Sequence, residues 1–180
     1  MNRSNQPGGD LRAHPDDRLG PLISLLERTM RKTITEAIAP LDLTLQQYVT
    51  LTILNNNEKI SNADLAKRSF ISPQSANEMI KNMELKGLVL RRPDPNHGRI
   101  IHLHISAKGK KLLEKADSAV LDIEHCLRDT IAVADRDKFR NQLIGCLGAL
   151  LQRTSRTSPI GDVAEAAIDV YQSHGQGRGE

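Results

Sequence analysis

Apolar side chains recur along this chain at two different periods, and the change from one to the other divides it. Leu22, Leu26, Met30, Ile34 and Ile38 fall four apart, close to the 3.6-residue helical repeat, and so line one face of a helix that begins at Leu19. Pro40 ends that helix, because its ring cannot continue the backbone ladder. Thr44 is placed to cap a second helix, with Gln47 three residues on completing a capping box and Leu51 and Leu54 facing inward. Asn55, Asn56 and Asn57 break it. Ser61 opens a short third helix over 62–68, with Asp64 near its positive end and Leu65 and Ala66 toward the core. Ser72 caps a fourth helix over 73–86. Pro73 takes its first position, where no N–H is needed, and Gly87 is placed to end it. Ala76, Met79, Ile80 and Met83 form the core side of this helix.

The period then falls to two. LVLRR (88–92) and IIHLHIS (100–106) flank the turn PDPNHG, which predicts a β-hairpin. Ser106 caps a long helix in which Leu113, Ala116, Val120, Ile123 and Leu127 alternate at spacings of three and four, a seam suited to packing on another helix. Asp135 starts a further helix carrying Phe139, Leu143, Leu147 and Leu150. TSRTSP (154–159) reads as a linker, 162–172 as a short amphipathic helix, and residues 1–17, with Pro7, Gly8, Gly9 and Pro15, as a disordered tail. The expected fold class is mainly α with a small β-hairpin wing: a helix-turn-helix lobe over about 44–106, between long helices at about 18–39 and 106–153.

Composition narrows the class. With no Trp, two Phe and two Tyr, the core must be built from aliphatic residues, which suits helical packing. No apolar run reaches the roughly 18 residues of a membrane span, and the polar N-terminus has no apolar stretch of the secretory kind. Cys126 and Cys146 make no disulfide framework, so a reducing cytoplasm is the expected compartment and buried structural thiols their expected state. The net charge of +3 says little, but its distribution says more. Residues 81–115 hold 9 Lys/Arg against 3 Asp/Glu, whereas residues 1–80 hold 9 of each. One stretch therefore concentrates positive charge where it can meet phosphates.

That stretch overlaps the second helix of a helix-turn-helix and the hairpin after it. Such a unit lays its second helix in the major groove, so the helix needs an apolar seat and a polar face. Gln74, Asn77, Glu78 and Lys81 lie together opposite Ala76, Ile80 and Met83. Gln and Asn can pair with adenine, and Glu can accept from cytosine N4. Ser72, Ser75 and the helix N-terminus can hold phosphates. Taken alone, such a face is more often plain solvated surface, because most exposed polar faces bind nothing. The hairpin shifts the balance: Arg91 and Arg92 end its first strand, His97 sits in the turn, and Arg99 follows Gly98 on a narrow loop able to enter the minor groove. The competing reading of Arg99 is an ion pair with Asp94.

LTLQQYVTLTIL (43–54), SNADLAKRSFIS (61–72) and SPQSANEMIKNMELKGLVLRRPDPNHGRIIHLHISAKGKKLL (72–113) together resemble the MarR family of bacterial transcriptional regulators, over roughly residues 20–152. The resemblance implies a triangular homodimer whose terminal helices intertwine. Leu22, Leu26, Met30, Leu113, Ala116, Val120, Ile123, Leu127, Phe139, Leu143, Leu147 and Leu150 become its expected dimerisation residues. It also implies binding to a pseudo-palindromic operator, repression of nearby genes, and release by a small-molecule effector. The effector pocket would be lined from the first, second and fifth helices, with few aromatics beyond Tyr48. Arg99 matches the wing-tip arginine, and Ser72, Gln74, Ser75, Asn77 and Glu78 match the recognition helix. His97 and Gly98 replace the acid and arginine common before the tip, and Glu78 stands where a basic residue is common, so operator sequence and affinity should differ from the family's usual ones.

His102 and His104 point to one face of a strand, but two histidines lack the further ligands of a closed metal site, and no metal or cofactor is expected. An enzyme is the least supported class, since no phosphate loop, metalloprotease motif or nucleophile elbow is present. The alternative to a ligand-responsive regulator is an architectural or protein-interaction winged helix.

Overall fold

A computed structural model of the chain describes residues 18–155 apart from 58, 96 and 99. The expected N-terminal tail, the 162–172 helix and the wing-tip Arg99 lie outside the described residues. The elements run α1 (Leu19–Ile38), a 3-10 turn (Ala39–Leu41), α2 (Leu45–Asn55), α3 (Asn62–Arg68), α4 (Pro73–Leu85), β1 (Val89–Pro93), β2 (Ile101–Ile105), α5 (Ala107–Asp129), a 3-10 turn (Val133–Asp135) and α6 (Arg136–Ser155). The fold class is the one the spacing predicts.

Local chemistry sets most boundaries. The capping box of α2 is complete, with the Thr44 hydroxyl accepting from Gln47 N–H and the Gln47 side chain accepting from Thr44 N–H. Ser61 and Ser72 cap α3 and α4 by accepting from the N–H three residues on. Gly87 adopts φ 71°, which lets Gly87 and Leu88 return their N–H groups to Glu84 and Met83, a Schellman ending for α4. The end of α3 has the same bonding, from Phe70 to Lys67 and from Ile71 to Ala66. Here the left-handed residue is Phe70, at φ 54°, so a side chain occupies the conformation glycine usually takes.

β1 and β2 pair antiparallel, Val89 opposite Ile105 and Pro93 opposite Ile101. Ile60 adds a single bridge to Leu103, with Leu103 N–H donating to Ile60 at 2.8 Å. The hairpin is thereby tied to the segment before α3, a link that no periodic signal announces. At the other end of the hairpin, α5 is locked onto the turn after α4. Ser106 N–H donates to Leu88 C=O, the Ser106 hydroxyl donates to Gly87 C=O, and Gly109 N–H donates to that hydroxyl.

The core lies where α2, α3, α4, the hairpin and the middle of α5 meet, around Ile38, Leu51, Leu65, Ile80, Met83 and Leu103. Leu113, Ala116 and Val120, assigned from sequence to a dimer seam, are buried in this core within one subunit. Heptad-like spacing shows that a face is packed but not what it packs on. Ile123 and Leu127 lie beyond the lobe and are only half-buried.

Apolar positions of α1 and α6 remain exposed. Leu19, Leu22, Ile23, Leu25 and Leu26 on α1, and Phe139, Leu143 and Leu150 on α6, all show large accessible areas, while Met30 and Leu147 are half-buried. A 570 Å³ cleft runs between the end of α5 and α6, walled by Leu127, Ile131, Phe139, Leu143, Ile144 and Leu147. Cys126 and Cys146 are exposed in the single chain, not buried as expected from sequence, because they lie on outer faces of α5 and α6 that the lobe does not cover. Among the described residues no helix is long and apolar enough to cross a membrane.

Candidate nucleic-acid interface

The α4 helix is seated by Ala76, Ile80 and Met83, each 0% exposed, which fixes the rotation of the helix on the lobe. The opposite face is then presented to solvent. Ser72, Gln74, Ser75, Glu78 and Lys81 are exposed, and Asn77 is half-buried at the edge. Ser72 accepts from Ser75 N–H at 3.0 Å, and the two hydroxyls lie 2.8 Å apart. Gln74 donates from Nε2 to Glu78 Oε1 at 3.3 Å. Asn62 donates to Pro73 C=O, tying the start of α3 to the start of α4.

The hairpin sorts its two arginines by strand alternation. Val89 and Leu103 point into the lobe, each 1% exposed, so Arg91, opposite Leu103, points the same way. Its guanidinium donates to Glu84 at 2.8 Å and to Asn77 at 3.1 Å. Arg92 points outward, is exposed, and lies opposite His102. The sequence reading grouped Arg91 and Arg92 as DNA-binding residues; the hairpin register points them to opposite faces. Glu84, which sequence reasoning passed over, is the anchor of the inward arginine. Its signal was available, since it lies seven residues from Asn77, two turns along the same face of α4.

Asp94 organises the loop. It accepts His97 N–H at 3.0 Å and holds His102 Nε2 at 3.0 Å, with both side chains of that pair nearly buried. His102 Nδ1 is buried with no hydrogen-bond partner among the described residues. Burial, then the neighbouring Arg92 and His102, push the His104 pKa below the usual histidine range. His97 is exposed. Among the described residues no group of three or more His, Cys, Asp or Glu gathers in a metal-binding arrangement.

The stretch from residue 43, ahead of α2, to residue 101, at the start of β2, matches the sequence profile described as the MarR family. Over that stretch the chain resembles the MarR family. It is 27% identical over 128 residues to the HTH-type transcriptional repressor Rv2887 of Mycobacterium tuberculosis, covering 71% of this chain and 92% of that protein. The crystal structure of the same mycobacterial MarR-family protein in complex with salicylic acid superposes with a TM-score of 0.58 at 26% identity, over 72% of this chain and 96% of that one. The MepR–DNA complex of S. aureus superposes with a TM-score of 0.66 at 20% identity, over 73% and 98% of the two chains, which is a likeness of fold. The α4 helix and the hairpin thus take the places of the second helix and the wing in a winged helix-turn-helix fold.

Proposed function

We propose that this chain is a MarR-type, sequence-specific DNA-binding transcriptional regulator, a cytoplasmic homodimeric repressor without enzymatic activity. The observation that carries the reading is the division of α4. Three fully buried apolar residues seat it, and Ser72, Gln74, Ser75, Glu78 and Lys81 project from its other side next to a basic wing. In this reading the N-terminal half of α4 enters the major groove, Asn77 reads from the edge of that face, Ser72 and Ser75 hold phosphates, and Arg92, His97 and Arg99 carry the wing onto the flanking duplex. A relative named as an HTH-type transcriptional repressor, and the DNA complex of a protein of the same fold, support it.

The dimer is supported by the exposed apolar stripes of α1 and α6 and by the open cleft beside α6. Residues such as Leu22, Leu26, Phe139 and Leu143 stay in water unless a second copy covers them, and patches of this kind mark interaction surfaces. Two lobes related by a two-fold axis would read a pseudo-palindromic operator. Release by a small-molecule effector is part of the proposal, supported by the salicylic acid held by the mycobacterial relative.

The test is equilibrium binding of the full chain to duplexes selected from a random pool, measured across salt. A regulator of this kind prefers its selected duplex over random DNA and loses affinity steeply as salt rises, through counterion release. An architectural or protein-binding winged helix shows neither.

A further inference from the structure

The inward arginine of the wing has a consequence for base recognition. Arg91 bridges two residues of α4, with Nε on Glu84 Oε2 at 2.8 Å and Nη2 on Asn77 Oδ1 at 3.1 Å. The Arg91 and Glu84 side chains retain only 28% and 30% of their accessible area. A guanidinium has donors and no acceptor. The atom of Asn77 facing it must therefore be the amide oxygen, and the amide nitrogen must face the other way. The chemistry of the partner settles this orientation, where amide oxygen and nitrogen are otherwise hard to tell apart.

We infer that Arg91 is a positioning residue that fixes the base preference of α4 through Asn77, and that it is not a phosphate contact. The inference rests on the DNA-binding reading above. An unrestrained Asn pairs with adenine by donating to N7 and accepting from N6–H. Asn77, with its oxygen turned back onto Arg91, offers an N–H donor to the groove. It suits a base edge that presents an acceptor, guanine O6 or N7, adenine N7 or thymine O4, and not cytosine, whose major-groove edge presents only the N4 donor. Glu84 completes the device. It balances the charge of Arg91 and orients the guanidinium, so the positive charge of this residue is spent inside the lobe.

The two roles of Arg91 make opposite predictions about salt. A lost phosphate contact lowers the slope of log K against log salt by about 0.9 per contact, whatever the DNA sequence. A lost positioning residue leaves the slope unchanged and relaxes discrimination at one base pair in each half-site. The experiment uses the full chain and a duplex selected by the wild-type protein, with all single base-pair changes at each half-site position. Arg91→Gln should keep the wild-type salt slope and lose about tenfold in discrimination at one position. Asn77→Ala should relax the same position, and the double variant should lose little more, because both act through one contact. Asn77→Asp keeps an oxygen for Arg91 and removes the outward donor, so it should weaken binding to the selected duplex by at least about tenfold.

Arg92→Gln supplies the comparison, since its slope should fall. Asn77→Ala leaves the Arg91–Glu84 pair in place and tests the Asn77 half of the idea if Arg91 variants unfold. A reduced salt slope for Arg91→Gln with base preferences intact would overturn the inference, as would wild-type binding by Asn77→Asp. If the wild-type chain enriches no sequence at all, the DNA reading itself fails, which is a different result from any of these.

Discussion

Gly109 offers a sharp test of how the wing is held to the long helix. It lies in the first turn of α5, against the turn that follows α4. A Cβ added there would sit 2.3 Å from Leu88 C=O and 2.9 Å from the Ile105 side chain. The first of these is backbone, which cannot swing aside. Gly109→Ala must therefore lift α5 away from residues 87–88. That movement strains two bonds, Ser106 N–H to Leu88 C=O at 2.9 Å and the Ser106 hydroxyl to Gly87 C=O at 2.7 Å. Each is worth about 1 kcal/mol, and overpacking adds about 1–3 kcal/mol. The better helix propensity of Ala returns about 1 kcal/mol. The expected net loss is about 2–4 kcal/mol of folding stability. Urea denaturation followed by circular dichroism measures it. Gly145→Ala in α6 is the control, because its added Cβ meets nothing of the chain within 4 Å, and propensity alone should give a gain of about 0.5–1 kcal/mol. A Gly109→Ala protein as stable as wild type would show that α5 does not press on the 87–88 turn, and the mechanical link between wing and helix would be lost.

Other outcomes follow from single residues. Phe70→Gly removes a left-handed conformation costing about 1–2 kcal/mol and adds glycine's unfolded-state entropy of about 0.5–1 kcal/mol, so thermal melting should show a net gain of up to about 1.5 kcal/mol. Tyr48 is raised above the usual tyrosine pKa, first by burial, then by its hydrogen bond to Asp117 at 2.9 Å and the charges of Asp117 and Glu124. The unfolded chain therefore releases this proton first, and wild-type stability should fall as pH rises above about 10, more steeply than that of Tyr48→Phe. Denaturation midpoints at pH 9 to 11 compare them, and parallel curves would contradict the assignment. Arg99→Ala should weaken binding to a selected duplex by roughly 1–3 kcal/mol with the fold intact, and an unchanged Kd would take the wing out of the mechanism.

What the sequence made legible was what neighbouring residues decide among themselves. Thr44 with Gln47, Ser72 with Pro73, and Gly87 after the apolar run of α4 mark helix ends through contacts within a few residues, and each falls where it was expected. Contacts between distant elements were harder. The run Leu113, Ala116, Val120 announced a packed face, but only the tertiary structure shows that this face closes the lobe's own core. Cys126 and Cys146 were expected as buried thiols because a free cysteine usually behaves as a small hydrophobe, yet both lie on faces of α5 and α6 that the lobe does not cover. Ile60 bridges to Leu103 as a single residue, too short for any period to reveal. Phe70 lacks the glycine that normally flags a left-handed turn. At the candidate interface, the exposed face of α4 was readable from helical spacing. The inward aim of Arg91 needed the register of the hairpin, with Val89 and Leu103 buried on its side.

Selection of duplexes from a random pool by the full-length protein, with the mass of the resulting complex measured by sedimentation, bears most directly on the whole account. Enrichment of an inverted repeat with half-sites about one helical turn apart, carrying two chains on each duplex, is the result expected. A pool that stays random after repeated rounds, or one chain bound without sequence preference, would contradict it.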